Sequence, residues 1–155
     1  MTPDKYDLTL LAALQQDGRM AQRELGQRAN LSTAAVNRRL QLLARHGVIE
    51  RYSACLNPQA LGYGLTVVVE IQVDNERADL LDAMQRTFKA CPQVQQCYYV
   101  AGECDFVLIM LVRSMEQYVT LTRELFFASG NVKSFKTLVA MDRVKTGAGV
   151  PVEGG

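Results

Sequence analysis

The chain has 155 residues, 48% apolar and 21% charged, with 17 basic and 16 acidic side chains and a formal charge of +1. This composition excludes disorder over most of the length and allows one domain or two small ones. No run approaches the ~18 apolar residues of a membrane span, and the opening residues lack a secretory signal, so a cytoplasmic protein is expected.

The near-zero total conceals a separation of sign. Up to Asn57 the chain carries eight basic and five acidic residues, for +3; beyond it the balance is nine and eleven, for −2. From Leu25 to Ile49 there is no acid, while Arg28, Arg38, Arg39, Arg45 and the only histidine, His46, fall there. That stretch predicts a local basic face.

Taken in chain order, Asp4 suits the cap of a helix in which Tyr6, Leu10, Leu11 and Leu14 recur at helical spacing, ending at Asp17-Gly18. A second helix fits 21–29. Gly26 inside it predicts that a neighbouring helix passes too close for a side chain. Asn30 sits where a tight turn needs positive φ, and Ser32 is placed to cap a third helix with Val36, Leu40 and Leu43 inward and Thr33, Asn37, Arg38 and Gln41 outward. Helix, tight turn and longer helix make a helix-turn-helix module.

After Ile49 the period changes to two, which predicts a linking strand ending at Asn57-Pro58. Beyond Gly62 and Gly64 the pattern reads as a strand over 66–73, a helix over 79–90 and a strand over 94–100. A turn over 101–104 leads to a strand over 106–112. A helix capped by Ser114 follows, with Met115, Tyr118, Val119, Thr122, Leu125 and Phe126 on its buried stripe, then a strand from Val132 to about Met141. The order βαββαβ is the ferredoxin-like arrangement. The expected divisions are 1–50, a linking strand and hinge over 51–62, a second domain over 63–146 and a loose glycine-rich tail over 147–155. Residues 106–112 are apolar on both faces, yet the two helices of such a unit cover only one face of its sheet. A second copy is the simplest cover, which predicts a homodimer through this domain.

Chemistry is sparse. Cys55, Cys91, Cys97 and Cys104 form no CxxC pair and, with one distant histidine, no zinc site. The first three read as small buried hydrophobes; Cys104, in a turn between acids, is the only one open to a redox-sensing role. There is no glycine-rich phosphate loop and no nucleophile elbow, so neither catalytic residues nor a cofactor is expected.

Asp4-Lys5-Tyr6-Asp7, Gln16-Asp17-Gly18-Arg19, Leu31-Ser32, His46-Gly47-Val48-Ile49, Leu56-Asn57-Pro58 and Gly102-Glu103-Cys104-Asp105-Phe106 resemble, in order and over nearly the whole chain, the Lrp/AsnC (leucine-responsive, feast/famine) transcriptional regulators. The resemblance implies an α+β chain: an N-terminal winged helix-turn-helix domain and a C-terminal βαββαβ domain for ligand binding and oligomerisation. It also implies dimers that often assemble to octamers, with an amino acid as effector. Ser32, Thr33, Asn37, Arg38 and Arg39 fall where the family's recognition helix faces double-stranded DNA. Asn37 and Arg38 suit base reading, and Arg39, at the edge of the buried stripe, suits a phosphate. Effector residues carry over as Ala101, Gly102, Glu103 and Asp105 in the turn, with Ser134 and Thr137 on the last strand. This sequence departs from the family with Thr33-Ala34-Ala35 after the serine and with Phe135 in place of a threonine. An enzyme alternative is a siroheme-decarboxylase-like protein, which shares the two-domain form. Its histidines and arginines, however, have no counterpart in residues 95–101.

Overall fold

The computed structural model describes residues 1–152 and divides the chain into two compact units. One comprises Met1–Cys55 together with the C-terminal segment from Thr146; the other is Leu56–Lys145.

The first unit is built on α1 (Lys5–Gln16), α2 (Gln22–Ala29) and α3 (Thr33–Arg45). Each helix begins or ends where local chemistry dictates. Asp4 accepts hydrogen bonds from the backbone N–H groups of Tyr6 and Asp7 while the Asp7 carboxylate accepts from the Asp4 N–H, a reciprocal capping box at the start of α1. Asn30 closes α2 in the left-handed conformation at φ 57°. Ser32 Oγ accepts from the Ala35 N–H and starts α3. Leu10, Ala13, Leu25, Ala29 and Val36 form the core between the three helices. Gly26 is there because a Cβ would lie 2.6 Å from the Leu31 carbonyl oxygen. The crowding group is therefore the turn backbone, whose Leu31 N–H also bonds the Gly26 carbonyl, and not a neighbouring helix.

The second unit opens with a short 3-10 turn over Gln59–Leu61. It then runs β1 (Leu65–Val73), α4 (Ala78–Ala90), β2 (Val94–Tyr99), β3 (Phe106–Val112), α5 (Met115–Thr122) and β4 (Val132–Val139). The strands form one antiparallel sheet in the order β2-β3-β1-β4, the ferredoxin-like βαββαβ topology. Strand alternation sends Val67, Val69, Ile71, Phe106, Leu108 and Met110 to the helix-covered face, where Phe88, Phe106 and Phe126 pack edge to face. Val68, Val107, Ile109, Leu111, Tyr98 and Leu138 share the other face, on which neither helix lies. Among the described residues no helix is long and apolar enough to cross a membrane.

The fold departs from the sequence reading in further places. Residues 51–57 are not a strand: they are exposed and pair with no neighbour among the described residues, and an alternating pattern without a hydrogen-bonded partner makes no sheet. In α5 the buried stripe takes Tyr118, Leu121 and Thr122 and continues into Leu125 and Phe126 of a π-turn over Arg123–Phe127, while Met115 and Val119 lie at its margin and stay exposed. Cys55 lies in the exposed linking segment, whereas Cys91 and Cys97 do pack against the core. The tail expected to be loose is docked, with Val150 hydrogen-bonded to Gln15 of α1; residues 153–155 of that expectation lie outside the described residues.

Candidate functional site

The outward face of α3 presents Thr33, Asn37, Arg38 and Gln41, all exposed. The Gln41 side-chain amide donates to Asn37 Oδ1 at 2.9 Å, one helical turn apart, which pre-orients Asn37. Arg38 makes no hydrogen bond or ion pair among the described residues, so its guanidinium projects from the helix uncommitted. Ser32 spends its hydroxyl on the cap and lies, with Thr33, at the N-terminus of α3, where the helix dipole favours an anion.

Arg39 stands apart from the other four. One of its nitrogens donates to Asp4 at 2.9 Å and to Asp7 at 2.8 Å, and the guanidinium lies 5.3 Å from the Tyr6 ring centroid. The Asp7 side chain is 3% exposed and that of Arg39 23%. Hydrogen bonding to Asp7 raises the Arg39 pKa, with burial opposing and Asp4 adding to the rise. The Asp4 carboxyl is held below its usual range, chiefly by the Asp7 N–H, with burial opposing and Arg39 adding to the depression. The residue expected to hold phosphate is therefore committed to α1. Its place at the edge of the buried stripe, read as favouring DNA, is what brings it to Asp7.

The second cluster surrounds the turn between β2 and β3. Gly102 has φ 151°, a conformation that L side chains rarely adopt. The Val100 N–H closes the turn on the Asp105 carbonyl, and two hydrogen bonds fasten it to the end of β1: the Asp105 N–H donates to the Ile71 carbonyl and the Val73 N–H to Asp105 Oδ2 at 2.8 Å. Asp105 thus ties the turn to β1 with one oxygen, and its other oxygen has no hydrogen bond among the described residues. Ala101, Gly102 and Glu103 are exposed.

Gln72 was absent from the sequence reading. Its Nε2 donates to the Glu103 carbonyl at 2.6 Å and its Oε1 accepts from Ser134 Oγ at 2.9 Å, so it joins the turn to β4. The signal lay in the period-two pattern, which sets Gln72 on the face opposite Ile71, but only the register pairing Gln72 with Ser134 reveals the contact. Thr137, three residues on, belongs to the other face, where it shares a 2.6 Å hydrogen bond with the hydroxyl of Tyr118. Burial raises the Tyr118 pKa, the Thr137 bond partly offsetting it. Ser134 and Thr137 therefore do not face one pocket, since a strand turns residues three apart to opposite faces. Phe135, on the Thr137 side, packs against Phe126 and Phe127. Among the described residues no three His, Cys, Asp or Glu side chains group as a metal site.

Comparison with known proteins gives a match for each part of the chain. Residues 3–50 match the winged helix-turn-helix DNA-binding family and residues 66–150 the Lrp/AsnC ligand binding domain. The HTH-type transcriptional regulator y4tD of Sinorhizobium fredii is 39% identical over 153 residues, covering 99% of this chain and 90% of the relative. The leucine-responsive regulatory protein of Escherichia coli is 33% identical over 142 residues, with 92% and 87% covered. Among solved structures, the feast or famine regulatory protein of M. tuberculosis complexed with L-methionine superposes with a TM-score of 0.83 at 30% identity, covering 95% of this chain and 97% of that one. A transcriptional regulator of Neisseria meningitidis, also solved with L-methionine, reaches 0.91 at 24% identity over 98% of both chains and shares the fold. The protein belongs to the Lrp/AsnC family of transcriptional regulators.

Proposed function

We propose that this regulator reads duplex DNA with the exposed face of α3 and that an amino acid held at the turn over 101–105 modulates its binding or its assembly. The observation that carries the DNA reading is the uncommitted Arg38 beside a pre-oriented Asn37, on a helix without an acid and with Ser32 and Thr33 at its phosphate-favouring end. Arg39 supports that face from behind by tying α3 to α1. At the turn, the positive-φ glycine lets backbone amides approach a ligand carboxylate. The second oxygen of Asp105 suits its ammonium, and Gln72 with Ser134 forms the adjoining wall. A relative of 30% identity solved with L-methionine supports an amino-acid ligand.

The working form is a homodimer closed through the helix-free face of the sheet, where Leu138 and Tyr98 are 44% and 53% exposed. Met115, Val119 and Phe127, exposed on the helix side, suit further assembly of dimers to an octamer.

Gel-shift titration of genomic fragments selected by the wild-type protein tests the DNA reading. Arg38→Ala weakens binding about tenfold or more and leaves the dimer intact; unchanged affinity excludes α3 as the reader. A thermal-shift screen of the amino acids tests the turn. Asp105→Asn keeps an acceptor for the Val73 N–H but removes the charge, so it abolishes the shift, since bound ligand stabilises by RT ln(1 + [L]/Kd). An equal shift in both proteins removes Asp105 from the site.

A further inference from the structure

We propose that Gln15 on α1 is a docking site for extended polypeptide backbone, that its occupant is this chain's own Gly149–Val150, and that residues 146–152 are thereby a working part of the DNA-reading unit. Gln15 Nε2 donates to the Val150 carbonyl at 2.8 Å, and the Val150 N–H donates to Gln15 Oε1 at 2.7 Å. A primary amide presents a donor and an acceptor side by side, as a peptide group does, so one glutamine pairs with one residue as a neighbouring strand would. Gly149 sits close enough that a Cβ there would lie 3.4 Å from Oε1. The segment belongs with α1–α3 and not with the sheet domain that precedes it, although the ligand-binding family match runs to residue 150.

The DNA-reading unit is therefore discontinuous in sequence, with 56–145 inserted between its helices and its last segment. Movement of the chain at Lys145 is passed to the C-terminal end of α1. The other end of α1 holds the reading helix through Asp4, Asp7 and Arg39. The docked segment and the reading helix thus share one element, which gives the effector-binding domain a second covalent route to α1 besides the 51–57 linker.

Hydrogen exchange on the full-length protein tests this, comparing wild type with Gln15→Ala, Val150→Pro and the double variant, and using β1 and β3 amides as the internal reference. Gln15 is exposed and alanine favours helix, so the first variant keeps α1 intact. Val150→Pro removes the Val150 N–H and so half of the pairing, leaving the carbonyl that accepts from Gln15 Nε2. The expected result is free-chain exchange of the Val150 amide in Gln15→Ala against protection in wild type, and exchange of α1 amides about fivefold faster in Gln15→Ala, the scale of one net hydrogen bond. The double variant should be no worse than Gln15→Ala, because that substitution alone already removes both hydrogen bonds of the contact. Free-chain exchange of the Val150 amide already in wild type, unchanged α1 amides in Gln15→Ala, or a double variant that exceeds Gln15→Ala would each overturn the proposal.

Discussion

The DNA-reading unit buries Leu10, Leu25 and Val36 with two alanines, whereas the effector-binding unit buries Phe88, Phe106 and Phe126 between two helices and a four-stranded sheet. Small domains leave a larger share of their surface exposed, so apolar burial alone stabilises them poorly. The smaller unit makes up the difference with polar devices: a capping box, a serine cap, and an arginine shared between two aspartates across α1 and α3. In the larger unit polar groups fasten the turn over 101–105, through Asp105 and Gln72. One unit is held by bonds that can be broken singly without emptying a core. The other is held by packing that tolerates few losses.

Three perturbations sharpen the contrast. The largest effect is expected from Phe88→Ala, which removes a fully buried ring touching both Phe106 and Phe126 and should cost about 4 kcal/mol. Calorimetry should show that loss in the sheet unit; a variant melting like wild type would mean that this ring cluster is not its core. Arg39→Ala comes next. It strands a carboxylate whose side chain is 3% exposed, and because Arg39 itself keeps some solvent contact the cost should be about 2 kcal/mol, read in the helical unit by urea melts. Undiminished stability together with a salt slope of DNA binding lower by about one would instead assign Arg39 to a phosphate.

The smallest effect is that of acid. The Asp4 carboxyl has a folded-state pKa below its ordinary 3.8, so its contribution is fully present above that value and is lost as pH falls through the depressed one. Far-UV circular dichroism below about pH 4 should show an acid-labile fraction in wild type that Asp4→Asn removes. Identical acid profiles in the two proteins would mean that Asp4 contributes through its cap geometry and not through its charge.

How legible each feature was follows from how far apart its causes lie in the chain. The Asp4 cap, the left-handed Asn30, the Ser32 and Ser114 caps and the 106–112 strand were readable because each is decided within a few neighbouring residues. The turn at Gly102 was readable for the same reason. The pairing of Arg39 with Asp7, thirty-two residues away, was not, and a side chain at the edge of a buried stripe looks the same whether it meets DNA or a carboxylate. Gln72 reaches Glu103 and Ser134 only because β1 lies between β3 and β4.

Local residue order thus determined the elements, their sequence along the chain, the separation of a basic reader from a mildly acidic partner domain, and the family to which both belong. Tertiary structure alone decided which polar groups are already spent. It committed Arg39 to α1, turned Ser134 and Thr137 to opposite faces, and drew Val150 back to Gln15. Those outcomes depend on register and chain return, which bring together groups that no short window of sequence contains, and a charge or hydroxyl is available to a ligand only when folding has left it without a partner.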